Sequence, residues 1–474
     1  MAAVHPRTPC AAAPALLALA LAACGGDAPA RGADTEAPVA GAGARVALGA
    51  VGPLPAGLPA PYLSGIVPIV VPPVPDSVGQ SPEKARPWFD VFSWQSFIAL
   101  NWPASRDGRG NPRSPADSSA FLDMQNGALV VWGSYKESWE LFGQEKNRPT
   151  AFDDWNAPVE PCGGLQPGQK AFTFVSKGNS LFNQAAESFS FPLVDQNGGY
   201  ARYEIRYNRA QYDTMRGPDA DSTKWMYLSR NWTAAATFSM PASDTTLGSI
   251  MIKASWRPLT AQDDTSRYFH VTALVASLDG GQPCQPMRMG LTGLHIAQKL
   301  VDFPQWIWST FEHVSNVPGT GASKPYSYNN GLDTPQAVLG YSYRPATIAL
   351  TADARPVQVT RVNDIPDTPA GASTQDINRI YRGFLRNTVW SNYQLVITQW
   401  PSNPTTSVLF SRRGVYPRDA GGAFPATGAV NTVMETYFQD RGTAAPAGGN
   451  SCMSCHYRAG NQDFSWGLNR RPHQ

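Results

Sequence analysis

All 14 tryptophans of the chain lie at or beyond Trp88. Aromatic side chains bury more apolar area than any others, so a core of any size has to be built from the residues that follow that point. The preceding stretch has the opposite character. Gly25–Arg86 carries 11 Pro and 10 Gly in 62 residues, about a third, and has no sustained helical period. Pro-rich chain is stiff and extended, so residues 24–87 are expected to form a tether, and residues 88–474 the folded body. The run Ile66-Val67-Pro68-Ile69-Val70-Val71 is the one part of the tether able to dock on that body.

Residues 1–23 have a short polar start with Arg7 and an apolar run from Ala11 to Leu21, closing as Leu21-Ala22-Ala23-Cys24. A short apolar core followed by small residues is the pattern of an export signal, too short to span a membrane in the mature protein. With Cys24 at the cleavage position it resembles a bacterial lipoprotein signal. That implies lipidation of Cys24, a periplasmic body and, without Asp after the cysteine, attachment to the outer membrane. No other stretch of about 18 apolar residues exists, which excludes a transmembrane bundle. The 38 basic and 36 acidic residues nearly cancel, so there is no electrostatic case for nucleic acid.

The body reads as β-rich. Extended patterns occupy residues 127–135, 172–176, 193–207 around the Asn197-Gly198 turn, 249–256, 268–278, 287–297, 305–313 and 393–400. A helical period runs through 88–102, with Asp90 as its cap. A second helix is announced by Ser373-Thr374-Gln375-Asp376, a capping-box pattern. Ile377, Ile380, Tyr381, Phe384 and Leu385 then follow at helical spacing. The expected fold is α+β and β-rich: one large mixed domain, or two closely packed lobes, with the chemistry attached at its C-terminus.

That chemistry lies in Ser451-Cys452-Met453-Ser454-Cys455-His456-Tyr457. C-x-x-C-H is the attachment motif of c-type haem: two thiols bind the porphyrin and the adjacent imidazole falls under the iron. In a chain with 6 Cys and 6 His, chance would produce it about once in a thousand such sequences. A zinc site would want a second pair of ligands, and the sequence holds no other C-x-x-C. A dithiol redox pair would want a βαβ setting, but a Gly-rich stretch precedes Cys452. One covalent haem c, held by Cys452, Cys455 and His456, is the expected cofactor.

Only 18 residues follow His456, none of them Met, so a sixth iron ligand has to come from upstream or be absent. A filled position suits electron transfer; an open one suits binding or activation of a small molecule. His270, His295 and His313 are the upstream imidazoles of the mature chain, His473 lying too near the terminus. Met287, Met289 and Met434 are thioether alternatives, commoner as core filler. His295 and His313, with Glu312 and Trp306, form the expected distal wall. Strand alternation puts Trp306, Trp308, Thr310 and Glu312 on one face and Ile307, Phe311 and His313 on the other. Cys162 and Cys284 remain as an even pair outside the haem motif, most simply a disulfide in an oxidising compartment.

Several blocks carry a resemblance. They are Trp94–Pro103, Gly293-Leu294-His295-Ile296 with Lys299, Pro304–Val314, and Glu435-Thr436-Tyr437 ahead of C-x-x-C-H. Together they are similar to exported bacterial mono-haem "cytochrome c family" proteins, over most of residues 88–460. The resemblance implies one covalent haem and leaves the substrate open. In the position of the motif alone, the chain is also similar to β-sheet cytochromes c-prime and to hydroxylamine-oxidising cytochromes, which are much shorter. Three functions are compatible with these features. The first is electron transfer to a redox partner protein. The second is a haem oxidoreductase acting on a small molecule, such as peroxide or a nitrogen compound, through an open distal site. The third is a non-enzymatic module that binds a gas or a partner.

Overall fold

The computed structural model describes residues 54–78, 81–142, 151–155, 158–159, 162–172, 193–216, 238–243, 246–277, 283–332, 356–401, 423–424, 429–436, 439, 452–456, 463 and 465. The helices are α1 (Pro82–Leu100), α2 (Ser118–Leu122), α3 (Ser138–Phe142), α4 (Arg209–Arg216), α5 (Thr374–Phe384) and α6 (Cys452–His456). The strands are β1 (Lys136–Glu137), β2 (Pro158–Val159), β3 (Gly163–Gly164), β4 (Lys170–Phe172), β5 (Arg202–Tyr207), β6 (Ile250–Pro258), β7 (His270–Val275), β8 (Gln285–Leu300), β9 (Phe303–His313), β10 (Tyr393–Pro401) and β11 (Ala423–Phe424).

Among the described residues nine strands join in one sheet, with the path β1-β5-β6-β8-β9-β10-β11. β7 pairs with the first half of the 16-residue β8 and carries β4 beside it. All of its pairings are antiparallel except β4 with β7. This is a mixed α/β architecture with a dominant sheet and few helices, compatible with the expected α+β class. The body lies within one compact unit.

β9 and β10 are buried almost throughout, because both faces of the sheet are covered. On one face α1 presents Trp94 and Phe97 to Phe311, with ring centroids 5.1 and 4.4 Å apart. Ser93 on α1 bonds to both Ser309 and Thr398 at 2.7 Å. α5 packs beside α1, where Trp94 stacks on Tyr381 and donates to Asn378. Asn378 in turn accepts from the Leu395 amide and donates to its carbonyl, at the register shift in β10. The second face belongs to the C-terminal part of the chain. Tyr203 donates to the Val433 carbonyl, Asn431 donates to Thr310, and Trp306 donates to the Asp463 carbonyl.

Three sequence expectations change here. The first helix starts at Pro82, so Asp90 does not cap it. Asp90 is instead buried mid-helix, accepting hydrogen bonds from Thr374 and Thr398. Within 127–135 the chain makes turns, an isolated bridge at Val130 and a 3-10 turn at Trp132–Ser134, and strand β1 begins only beyond that range. The described part of the tether, residues 54–78, lies against the body: Leu58, Leu63 and Val67 belong to the main core. The backbone crosses Trp102 so closely that a Cβ at Gly65 would meet the indole at 2.9 Å. Residues 1–53, and with them the signal segment and Cys24, lie outside the described residues.

Candidate functional site

α6 is a single helical turn, and one turn brings positions i, i+3 and i+4 to the same side. Residues 452, 455 and 456 therefore share a side. Met453 is fully buried in the main core and anchors the turn, while Cys452 is half-buried at the edge of that core. His456 is 7% exposed. Its ring lies 4.3 Å from that of Trp308 on β9, tilted by 43°. Its Nε2 lies within hydrogen-bond distance, 3.0 Å, of Nζ of Lys253 on β6.

The strand register explains why these groups meet. Lys253 pairs with His295, and His295 pairs with Thr310. Directly opposed residues share a sheet face, so the three stand in a row across β6, β8 and β9. Trp308 lies two residues from Thr310 on the same face. His295 donates from Nε2 to Glu435 at 2.8 Å. The other carboxylate oxygen of Glu435 accepts from the Asn431 amide, closing the turn 431–435. That turn sits directly on β8: a Cβ at Gly293 would meet Val433 at 2.9 Å and the Met434 sulfur at 3.1 Å. Only glycine leaves room for it. Lys253 is half-buried, and the Glu435 side chain is 28% exposed, so the row opens to solvent at its edge.

The expected distal wall divides. His295 joins the row beside His456. Glu312 shares its sheet face but is consumed in structure, paired with Arg361 and accepting from Thr432 at 2.8 Å and Gln394 at 3.2 Å. Trp306, at φ 72°, holds the chain beyond α6 through its bond to the Asp463 carbonyl. Asp463 also pairs with buried Lys299, burial pushing the carboxyl up and the amine down. His313 belongs to the opposite face. It is fully buried and stacked on Tyr268 at 4.0 Å. Its Nε2 donates to the Arg267 carbonyl at 2.9 Å and its Nδ1 accepts from the Ser315 amide at 3.1 Å. Burial pushes its pKa down to about 3. With both nitrogens engaged across the sheet from α6, His313 is placed for packing, and the distal expectation for it is corrected.

Of the other candidates, His270 sits on β7 and Met289 fills the main core, while Met434 packs in the second cluster with its sulfur over Gly293, beside the row. Cys162 and Cys284 are joined in a disulfide. Lys253 is the residue that sequence reading passed over. Its signal was a charged residue inside the apolar strand Ile250-Met251-Ile252-Lys253-Ala254-Ser255-Trp256, half-buried rather than projecting to solvent.

Among the described residues, no three His, Cys, Asp or Glu side chains gather to hold a bare metal ion. No described helix is long and apolar enough to cross a membrane. Comparisons with family models, curated proteins and solved structures gave no match. What the site offers is a donor set: positions 452, 455 and 456 on one helical turn, with the His456 imidazole nitrogen facing a polar row on the sheet. A group held by two thioethers and one imidazole suits that set.

Proposed function

We propose that the protein is a c-type cytochrome carrying one covalent haem on Cys452, Cys455 and His456, and that it transfers electrons to a redox partner. Bound there, the haem would supply a one-electron iron couple. The observation that carries the reading is α6 itself, a C-x-x-C-H turn docked by Met453 into the core with its imidazole turned toward Lys253. Trp308 against the His456 ring would fix the imidazole plane. Lys253 and Glu435, near the solvent edge, would leave one side of the group within reach of a partner. The likeness to exported mono-haem proteins and the leader of residues 1–23, followed by Cys24, fit a lipid-anchored protein of the periplasm, held at the outer membrane through Cys24.

Mass spectrometry and visible spectroscopy of protein made in cells competent for cytochrome maturation test the reading. The expected result is one haem mass on the peptide containing Cys452 and Cys455, lost in a C452A/C455A double variant. Unmodified thiols, or thiols holding zinc, would overturn it.

A second reading rests on the His295–Glu435 pair. A carboxylate 2.8 Å from an imidazole at a partly solvated edge is an acid–base arrangement suited to a haem enzyme acting on a small molecule. It requires an open iron position, and carbon monoxide binding to the reduced protein separates it from electron transfer.

A further inference from the structure

Arg202, the first residue of β5, is a buried cation without a counter-charge. It is 5% exposed, its Nε and Nη1 have no hydrogen-bond partner, and its Nη2 reaches only the Ala276 carbonyl, at 3.5 Å. Burial pulls its pKa down to about 10, which leaves it charged at neutral pH. A buried charge is costly unless it is paired and hydrogen-bonded. We propose that Arg202 anchors a binding site for a small carboxylate, where the start of β5 meets the end of β7.

The carboxylates nearby are engaged elsewhere. Glu204, two residues along on the same face, gives both oxygens to others: Lys170 at 2.9 and 3.0 Å, Arg206 at 2.5 Å and Trp256 at 2.8 Å. Asp195, in the hairpin before β5, holds Arg257 and accepts from the Asn197 and Gly199 amides. Further along the face Glu137 pairs with Arg206, and Glu140 pairs with Arg109 and Lys136. Each of these carboxylates has a cation of its own. Among the described residues of this network, Arg202 is the cation left over.

The chemistry of the ligand follows from that of the guanidinium. It offers one positive charge in a flat array of N–H donors, which balances a planar, singly charged carboxylate better than a doubly charged phosphate. The way in is at the edge of the sheet, where Tyr200 and Ser277, which flank Arg202 and Ala276, are both half-buried. The Tyr200 phenol lies close enough to act on the charge of the guanidinium. The site is separate from α6. Lys253 stands opposite Ile205, three residues from Arg202, so the two cations point to opposite faces of the sheet. A carboxylate is bound at Arg202 whether or not α6 carries a haem.

Thermal unfolding of full-length wild-type and R202M proteins in a carboxylate-free buffer is the test. Sodium acetate is the probe, with sodium chloride and sodium sulfate as controls at matched ionic strength. Acetate should raise the wild-type melting temperature saturably, by about 3 °C at a hundredfold excess over its dissociation constant, and leave R202M unmoved. No response of the wild type, an equal response to chloride or sulfate, or an equal response in R202M would overturn the proposal. If R202M does not fold, crystals of the wild type soaked in bromoacetate decide. A bromine anomalous peak within reach of the Arg202 guanidinium supports the site, and its absence there overturns it.

Discussion

His313 shows how one buried residue writes a pH dependence into the whole chain. In the fold its pKa is pushed down to about 3 by burial, while unfolded it returns to its ordinary 6.5. Below about pH 6.5 the unfolded chain takes up a proton that the folded chain refuses. The stability from His313 is therefore complete above that pH and is lost as pH falls toward 3. Asp90 works in the opposite sense: burial raises its carboxyl to about 6, so the folded chain holds a proton there that the unfolded chain gives up. Burial raises the Glu137 carboxyl as well, to about 8, in the same sense as Asp90, so the His313 contribution is read from the difference between variant and wild type. Replacing His313→Gln should cost about 1–3 kcal/mol at pH 7, through loss of the ring stacked on Tyr268. It should also raise the stability at pH 5 relative to that at pH 7 by roughly 2 kcal/mol compared with the wild type. Urea unfolding of both proteins at the two pH values checks this; equal slopes would mean that His313 titrates normally. Strand alternation already separated His313 from Trp308 and Thr310 in the sequence, and that much was legible. Its two hydrogen bonds were not, because they come from Arg267 and Ser315, around a bend the alternation does not describe.

At the scale of elements, legibility followed locality. α5 was readable because its signals are short-range: the Ser373–Asp376 capping box is present, and the predicted stripe is buried. The strands β6 to β10 were readable from their apolar content. Their register was not, and the register makes the site. Nothing within residues 250–258 says that Lys253 will stand beside His295, since that pairing is settled by contacts some forty residues away. The turn 431–435 was equally hidden, because it depends on a glycine in another strand. Gly293→Ala tests that dependence. Its Cβ would press on Val433 and Met434, and the turn that orients Glu435 toward His295 would have to lift. Overpacking of this kind should destabilise by about 1–3 kcal/mol. It should also make an E435Q substitution nearly silent in the G293A background, since the carboxylate is no longer held against the ring. Additive effects of the two substitutions, followed by thermal unfolding, would show that the turn tolerates the methyl.

Over the whole molecule, the misjudged region is the one that composition described best. Proline and glycine counts mark residues 24–87 as extended, and residues 54–78 are largely without helix or strand, yet they are not loose from the body. Extended chain with fixed φ loses little entropy on docking, so a few apolar side chains can hold it down. Leu63 is 1% exposed in the main core, beside Val67, whereas Ile66 between them is 47% exposed. Gln298 on β8 ties the same segment through the Pro68 carbonyl at 2.5 Å, which connects it to the strand that carries His295. The segment is therefore part of the fold that positions the site, and its burial should be paid for like that of any core. Leu63→Ala should destabilise by about 2–5 kcal/mol, the range for a buried leucine, and Ile66→Ser should stay within about 0.5 kcal/mol. Thermal unfolding of the two variants distinguishes a structural strap from a leash. If Leu63→Ala melts with the wild type, residues 54–78 contribute nothing to the body and the tether reading extends to α1 after all.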